Sequence, residues 1–358
     1  MNHLSEPDLR VSRRHWIALA IASLSGCGGG SPGTTEITSG SGSGGGSGFS
    51  GNPTTDASTD SPGTDQQTAG APGTGGTGSP NAPGTGGTGI YSQGSISAFG
   101  SVVLNGIHFD ERAADITIDG GSAPSDRLRL GMVATVVGER YADGVSGRAD
   151  SIEVWSIAQG EVSAVASGSF TVMGMNVQTR GSTFYEGVPG AAGMAVGQWV
   201  TVWGLQADAQ GGNWIATRVS VGPAGESMVG SGFVVEHHDE RRLNGILLSG
   251  DRADDLHTGR LVRVVGRWDA EDDALRVSGS HLIDVRGGSP APAGVEVEIE
   301  GVVTALLPGS RLMLGSTEVD ARAVPSIYAQ LRPGMEIEID GTWQGAVLMA
   351  REIEIEDD

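Results

Sequence analysis

The chain has 358 residues, a formal charge of −21 and 60 glycines, and only 5% of its residues are aromatic. All 22 basic residues are arginines, which excludes enzymes that need a lysine, such as Walker A nucleotide hydrolases, Schiff-base enzymes and Ser-x-x-Lys hydrolases. The acidic balance also argues against binding of duplex nucleic acid, which needs a basic surface.

The first 26 residues have the pattern of a lipoprotein signal peptide. Arg13 and Arg14 precede a short apolar stretch that starts at Trp16 and ends in Leu24-Ser-Gly-Cys27, the form of a bacterial lipobox. The stretch is too short to span a bilayer. We therefore predict that residues 1–26 are removed and that Cys27 is the lipid attachment residue. The alternative is a core segment with a chance cysteine, and the choice between the Sec and twin-arginine export routes stays open.

Residues 27–89 are predicted to be a disordered tether. They consist mainly of Gly, Ser, Thr and Pro, with almost no large apolar side chains. Such a composition cannot bury enough surface to fold. A flexible coil of this length reaches roughly 45 Å, which would hold the following domains away from a lipid surface.

A Gly-x6-Gly pattern that encloses an alternating strand recurs four times after the tether. The four pairs are Gly131 and Gly138, Gly197 and Gly204, Gly259 and Gly266, and Gly334 and Gly341. Copies separated by about 60 to 75 residues are small domains rather than turns of a solenoid. We name the predicted domains segment 1 (90–158), segment 2 (159–222), segment 3 (229–287) and segment 4 (295–358).

The two faces of this strand differ. The third and fifth residues after the first glycine share one side of the strand and are apolar in every copy, which predicts a buried face. The residues of the other face change from Val and Thr in segment 1 to Trp in segment 2, Arg in segment 3 and Glu and Asp in segment 4. Any function is expected on this variable face.

Each segment is predicted to be a small β-barrel. Short strands separated by Gly, Asp, Asn and Pro turns, without sustained helical periodicity, favour a closed or nearly closed barrel of the OB type. The predicted fold is therefore all-β, a tandem array of four small OB-like barrels after a disordered tether. Thin cores of this size are marginal alone, so packing between neighbouring barrels is expected to stabilise the array.

The run from Gly94 to Asp110, followed by Leu130-Gly-Met-Val, resembles the bacterial domain-of-unknown-function family 5666, found in envelope lipoproteins. The match is strongest in segment 1, while segments 2 and 4 resemble shorter members and segment 3 departs most. The resemblance covers residues 91–358 and implies tandem copies and an envelope location. Because the family has no established activity, it implies no catalytic residues.

Acidic residues alternate along three predicted strands of segment 4. The candidate cation-binding residues are Glu336, Glu338, Asp340, Glu352, Glu354 and Glu356, and Glu296, Glu298 and Glu300 lie on a third strand. Like charges on neighbouring strands repel, so divalent cations or a basic partner would neutralise them. The alternative is a solvated face that keeps the segment soluble.

Two further groups are candidate sites. Trp199, Trp203 and Trp214 in segment 2 could form an exposed aromatic platform for a glycan or another partner, or pack against the adjoining barrel. His237, His238 and Asp239 could take part in a metal site, although neighbouring strand residues face opposite ways, which favours a polar hairpin tip.

These patterns predict a non-catalytic, lipid-anchored binding or structural protein of the bacterial cell envelope, in the outer membrane. Its expected partners are the membrane, through the anchor, and an envelope protein or glycan, with no nucleic acid and no cofactor. A cation- or glycan-dependent surface module is one alternative. A metal-assisted hydrolase that uses His237, His238 and Asp239 is another.

Overall fold

The computed structural model describes residues 88–283 and 295–356. The predicted signal peptide, Cys27 and residues 27–87 of the predicted tether lie outside the described residues. The last two residues of the predicted tether, Thr88 and Gly89, are instead the start of a β-strand, so the disorder prediction is wrong for them. Within the described ranges, no helix is long and apolar enough to cross a bilayer. The described residues belong to one compact unit and are almost entirely β-structure.

The strands follow one another in chain order through the four segments. Segments 1 and 2 contain β1 (Thr88–Ser95), β2 (Val102–Leu104), β3 (Ile107–Asp110), β4 (Asp115–Ile118), β5 (Gly121–Ser122), β6 (Val133–Arg140), β7 (Ser146–Val154), β8 (Ala158–Ala166), β9 (Ser169–Val172), β10 (Met175–Glu186), β11 (Trp199–Gln206) and β12 (Asn213–Gly222). Segments 3 and 4 contain β13 (Met228–His237), β14 (Glu240–Leu243), β15 (Ile246–Ser249), β16 (Leu261–Asp269), β17 (Ala274–Leu282), β18 (Glu296–Leu307), β19 (Arg311–Leu314), β20 (Thr317–Asp320), β21 (Glu336–Gln344) and β22 (Val347–Ile355).

Each segment has one short helical element before its Gly-x6-Gly strand. These elements are 3-10 turns at Ser125–Arg127 and Ala191–Gly193, helix α1 (Asp251–Asp254) and helix α2 (Pro325–Tyr328). The four elements occupy the same place in the order of strands, which indicates a shared chain path.

Segment 4 forms a closed five-strand barrel. Strand β18 pairs with both β19 and β21, β20 lies parallel to β22, and the pairs β19–β20 and β21–β22 complete the ring. The pairings in segments 2 and 3 follow the same order and close through β8–β11 and β13–β16. In segment 1 an isolated β-bridge joins Ala98, which follows β1, to Val103 of β2.

Backbone geometry explains why both positions of the repeated pattern are occupied by glycine. The first has a positive φ in every copy, between 72° at Gly259 and 92° at Gly334, a conformation that favours glycine. The second follows a register shift, as at Val265/Gly266, where a Cβ would lie 2.5 Å from the carbonyl oxygen of Arg276. A β-bulge with such close backbone approach excludes other side chains.

The predicted buried face is confirmed. All eight residues of that face are buried: Ala134, Val136, Val200, Val202, Val262, Val264, Ile337 and Ile339. Near the end of each segment, a small residue is followed three positions later by an apolar one. Both residues of this pair are buried in segments 1, 2 and 4, as for Ala350 and Ile353. Segment 3 differs because Leu282 is 45% exposed.

The segments that share a sheet are not all neighbours in the chain. Strand β1 of segment 1 lies parallel to β18 of segment 4, with Ser92 opposite Glu298, so these two segments share one sheet. Segments 2 and 3 share the other, through a contact between Gln159 and Val229. The expectation that chain neighbours stabilise each other therefore holds for segments 2 and 3, whereas segment 1 shares its sheet with the most distant segment.

Two equivalent asparagines fix these pairings. Each occupies an Asn-Gly hairpin turn with positive φ, the geometry of a tight two-residue turn. The Asn105 side-chain amide donates hydrogen bonds to Ser92 Oγ at 3.0 Å and to the Glu298 carbonyl at 3.4 Å. The Asn244 amide donates to the Ser231 carbonyl at 2.9 Å and to the Met173 carbonyl at 3.4 Å. Each asparagine thus links its own segment to the partner segment.

The variable face is not a free surface. The face consists of the second, fourth and sixth residues after the first glycine of each pattern. None of these twelve residues is exposed, and Trp203, Leu261 and Arg263 are buried. Trp203, from segment 2, packs into the apolar core of segment 1, and Leu205 and Ile215 of segment 2 pack against Val302 of segment 4. The variation from copy to copy therefore reflects the neighbour that each face meets.

Candidate functional site

All four segments line a cavity of 670 Å³, to which the variable faces of segments 1 and 3 contribute Val133, Thr135, Val137 and Arg263. Its wall combines three aromatic side chains, several hydroxyl and amide groups, and a few charges. The residues that define this character are Tyr91, Gln93, Thr135, Ser151, Glu153, Trp155, Gln206, Trp214, Ser231, Arg263, His281, Glu300, Ser316 and Thr317. The volume lies within the range of small-molecule sites.

One wall of the cavity is built by a stack of side chains from segments 1 and 3. The rings of Trp155 and His281 are stacked with their centroids 4.3 Å apart, and the Arg263 guanidinium lies 5.2 Å from the Trp155 ring. Burial, followed by the charge of Arg263, lowers the pKa of His281. The imidazole is therefore uncharged at neutral pH and contributes an aromatic surface.

Asp119 compensates the positive charge of the buried Arg263 side chain. Arg263 Nη2 donates to Asp119 Oδ1 at 2.8 Å, and its Nε donates to the Ser156 carbonyl at 2.6 Å. Burial lowers the pKa of Arg263, while Asp119 opposes that effect. A buried arginine held by a carboxylate and a carbonyl is a fixed structural group, so it does not leave an uncompensated positive charge in the cavity.

Tyr91 is fixed in its neutral form. Burial raises its pKa to about 12, and its hydrogen bond with Thr135 only partly opposes this effect. The phenol is consequently available as a hydroxyl group and not as an anion at physiological pH. With Asp119 neutralising Arg263, Glu153 and Glu300 give the wall a slightly negative character.

The acidic strands of segment 4 lie side by side as the sequence predicts. Glu298 is opposite Asp340, Glu300 is opposite Glu338, and Asp340 is opposite Glu352. The alternative of a solvated face is wrong for β18, because Glu298 is 0% and Glu300 3% exposed. Segment 1 covers this strand.

Arginines of the same chain act as the basic partner of the acidic strands. Arg140 Nη1 lies 2.6 Å from Glu298 Oε1, and Arg140 Nη2 lies 2.5 Å from Glu296 Oε2. Arg180 of segment 2 reaches Glu336 at 2.8 Å. The charge on these strands is thus partly neutralised by segments 1 and 2.

The candidate cation-binding residues do not form a metal site in the described part of the chain. Glu336, Glu338 and Asp340 line the partly covered strand β21, and Glu352, Glu354 and Glu356 lie on or just after β22. Among residues 88–283 and 295–356, no three His, Cys, Asp or Glu side chains converge as ligands of one ion. Carboxylate–arginine pairing accounts for part of this pattern without a cation.

The exposed tryptophan platform is a wrong prediction. Trp203 is 5% exposed and Trp214 3% exposed, while Trp199 is half-buried. The alternative weighed for these residues, packing against the adjoining barrel, describes Trp203. Trp214 packs within the joint core of segments 2 and 3, donates from Nε1 to the Gly211 carbonyl at 3.0 Å, and reaches the cavity wall.

The two adjacent histidines lie at a hairpin tip. His237 is opposite Glu240, and His238 and Asp239 have φ of 53° and 62°. Consecutive positive φ values at the two central residues are typical of a tight hairpin turn. The geometry is that of the polar turn favoured by the sequence, and it gives no convergent ligand set for the hydrolase alternative.

The cavity residues have no common sequence signal. Trp155 lies just after β7, while Arg263 is on a Gly-x6-Gly strand and His281 is near the end of β17. The one signal that pointed to the cavity was the variation of the second strand face, which includes Thr135 and Arg263. The partners across the cavity depend on how the segments pair, which the repeat itself does not specify.

One stretch of this chain matches a known protein family. Residues 159–220 match the family described as Domain of unknown function (DUF5666). This match supports the family resemblance within segment 2, although the resemblance noted in the sequence is strongest in segment 1. A search of curated proteins found no matching relative.

Proposed function

We propose that this chain is a non-catalytic, lipid-anchored protein of the bacterial cell envelope that binds a small, uncharged, hydroxyl-rich ligand in its central cavity. The observation that carries the binding function is the 670 Å³ cavity lined by all four segments. Hydroxyl and amide side chains beside aromatic rings are suited to a glycan ring, since its hydroxyls need hydrogen bonds and its C–H faces pack on aromatic surfaces.

The charge of the wall supports an uncharged ligand. The carboxylate of Asp119 forms an ion pair with Arg263 and compensates its positive charge. His281 is neutral because burial lowers its pKa. Glu153 and Glu300 also line the cavity, which disfavours a phosphate or carboxylate ligand. A cation-dependent site is not favoured, because no three ligand side chains converge in the described residues.

The finer architecture within this proposal is a tandem array of four OB-like barrels. It is supported by the common strand order, the parallel pairing of a third strand with the last, as in β3–β7 and β20–β22, and the short helical element before each Gly-x6-Gly strand. This connectivity is that of a small Greek-key barrel. The OB shape alone does not imply nucleic-acid binding.

The envelope location rests on the lipobox that ends at Cys27. Metabolic labelling with palmitate tests this part separately. We expect the label on the wild-type protein and its loss in Cys27→Ala. Labelling of both proteins alike would contradict lipid attachment at this residue without bearing on the cavity.

Ligand binding is tested by titrating neutral disaccharides, including N-acetylglucosamine disaccharides, while following tryptophan fluorescence. Trp155 and Trp214 line the cavity, so bound sugar should change their emission. A Ser151→Phe variant, which places a ring in the cavity, should abolish the change. Ser163→Phe, on the exposed part of β8, is the matched control. Calorimetry without binding at millimolar sugar would reject the proposed ligand class.

A further inference from the structure

Two carboxyl groups face each other at the junction of segments 1 and 4. Glu298 on β18 is opposite Asp340 on β21. Glu298 is fully buried, and its Oε1 accepts a hydrogen bond from Arg140 at 2.6 Å. Its Oε2 and Asp340 Oδ1 are also buried, and the described part of the chain offers neither a donor.

These two orphan oxygens can satisfy each other only through a proton. Glu298 and Asp340 face each other across β18 and β21, so their carboxyl groups lie within reach of a shared hydrogen bond. Ionised carboxylates are acceptors only, so a hydrogen bond between two of them requires that one is protonated. Like charges on two carboxyl groups that face each other in a buried site also disfavour the doubly ionised pair.

A second carboxyl pair lies further along the same two strands. Glu300 and Glu336 are diagonal neighbours on one face, because Glu300 is opposite Glu338 and Glu336 is opposite Val302, and long side chains can meet across such a diagonal. The backbone amide of Ser95 donates to Glu300 Oε2 at 2.8 Å, and Arg180 Nη1 donates to Glu336 Oε2 at 2.8 Å. This pair therefore connects segment 4 to segment 1 through Ser95 and to segment 2 through Arg180.

The surrounding charges do not remove the need for a proton. Arg140 and Arg180 face the pairs from β6 and β10, and Arg351 on β22 pairs with Glu296 at 2.5 Å. Further carboxyl groups crowd the same strands and face the pairs from β18, β21 and β22 and the residue after it. They are Glu296, Glu338, Glu352, Glu354 and Glu356.

We propose that each pair holds one proton at neutral pH and thereby fastens segment 4 to segments 1 and 2, so that alkaline pH loosens this junction. Loss of the proton to solvent leaves two carboxylates in contact, with no change in covalent bonds. Protonation of the two pairs does not depend on a ligand in the cavity. Glu300 nevertheless belongs to both places, because it also lines the cavity.

The acid strengths agree with the geometry. Burial, then the charges of Asp340 and Glu338, raises the pKa of Glu298 to about 9. Burial, then the charge of Glu300, raises the pKa of Glu336 to about 8. With these pKa values, each pair keeps its proton at pH 7 and loses it over the same mildly alkaline range.

Infrared spectroscopy of the full chain tests the proposal directly, because a protonated carboxyl group has a C=O stretch distinct from that of a carboxylate. We expect this band at pH 7, its loss above about pH 9, and a weaker band in Glu298→Gln. Glu318→Gln is the matched control, because Glu318 lies in the same segment and pairs with Arg311 away from the junction. Absence of the band from the wild-type protein at pH 7 would overturn the proposal.

Thermal melting supplies the second readout. The melting temperature of the wild type should fall as pH rises from 6 to 9, and that of Glu298→Gln should fall less, because the amide donates its hydrogen bond at every pH. Identical pH profiles for the two proteins would contradict a role for this pair. If Glu298→Gln does not fold, the wild-type infrared band still decides.

Discussion

Replacement of Trp203 by alanine tests whether the variable strand face is a junction between segments. Trp203 belongs to segment 2 but lies 5% exposed in the core of segment 1. Truncation of a buried tryptophan costs about 3–5 kcal/mol. The buried Nε1 has no hydrogen-bond partner among the described residues, and its removal relieves part of that cost. We therefore expect a loss near the lower limit, about 3 kcal/mol.

Urea unfolding followed by far-ultraviolet circular dichroism measures this loss. Trp268→Ala is the control, because Trp268 is 43% exposed and its truncation should cost less than about 1 kcal/mol. The Trp203→Ala protein should also unfold with a second transition if segment 1 loses its contact with segment 2. A loss equal to that of Trp268→Ala would refute the assignment of this face to a junction.

Three further predictions concern a bulge, an ion pair and pH. Gly341→Ala should destabilise the protein by about 2 kcal/mol or more, because the added Cβ collides with the Met349 carbonyl oxygen; equal stability in urea would contradict it. Asp119→Ala should cost about 3–5 kcal/mol because it leaves buried Arg263 unpaired, and a wild-type urea midpoint would argue against this. Burial raises the pKa of Glu298 from 4.5 to about 9, so the folded state holds the extra proton. Stability should fall by about 1.4 kcal/mol per pH unit for this group between those values, with no further loss above about pH 9; calorimetry showing stability that rises with pH across this range would contradict the sign.

The buried half of each repeated strand could be predicted because it depends on local rules. Alternation places Val200 and Val202 on one side of β11, and the flanking glycines mark a positive φ and a bulge. Strand period and backbone sterics act within one segment. For this reason the four copies obey the same pattern despite their unlike sequences.

The fate of the variable face could not be predicted because it depends on partners distant in the chain. The acidic residues of β18 suggested solvent or cations, yet Arg140 of segment 1 pairs with Glu298 across 158 positions. Likewise, the sequence pattern predicts that Trp203 is exposed, because it does not show that segment 1 covers this residue. Charged and aromatic residues on a strand face indicate that another surface covers it. The repeated pattern does not indicate which segment provides that surface.

The cavity could not be predicted from the sequence for the same reason. Trp155, Arg263 and His281 are adjacent in space because segments 1 and 3 meet, and the sequence places them on separate elements. A hydrophobic pattern identifies the residues that are buried within a segment. It gives no measure of the space left between segments.

The central claim is that segment 4 pairs with segment 1 and that the variable faces therefore meet. An engineered disulfide between Gly89→Cys and Val295→Cys, in a Cys27→Ser background, tests it most directly. A Cβ at Gly89 would lie 3.6 Å from a Val295 methyl carbon, within the reach of a disulfide. We predict that the bond forms on mild oxidation and that the single variants show no such intramolecular bond. Two thiols that remain free under the same conditions in a folded protein would contradict the pairing.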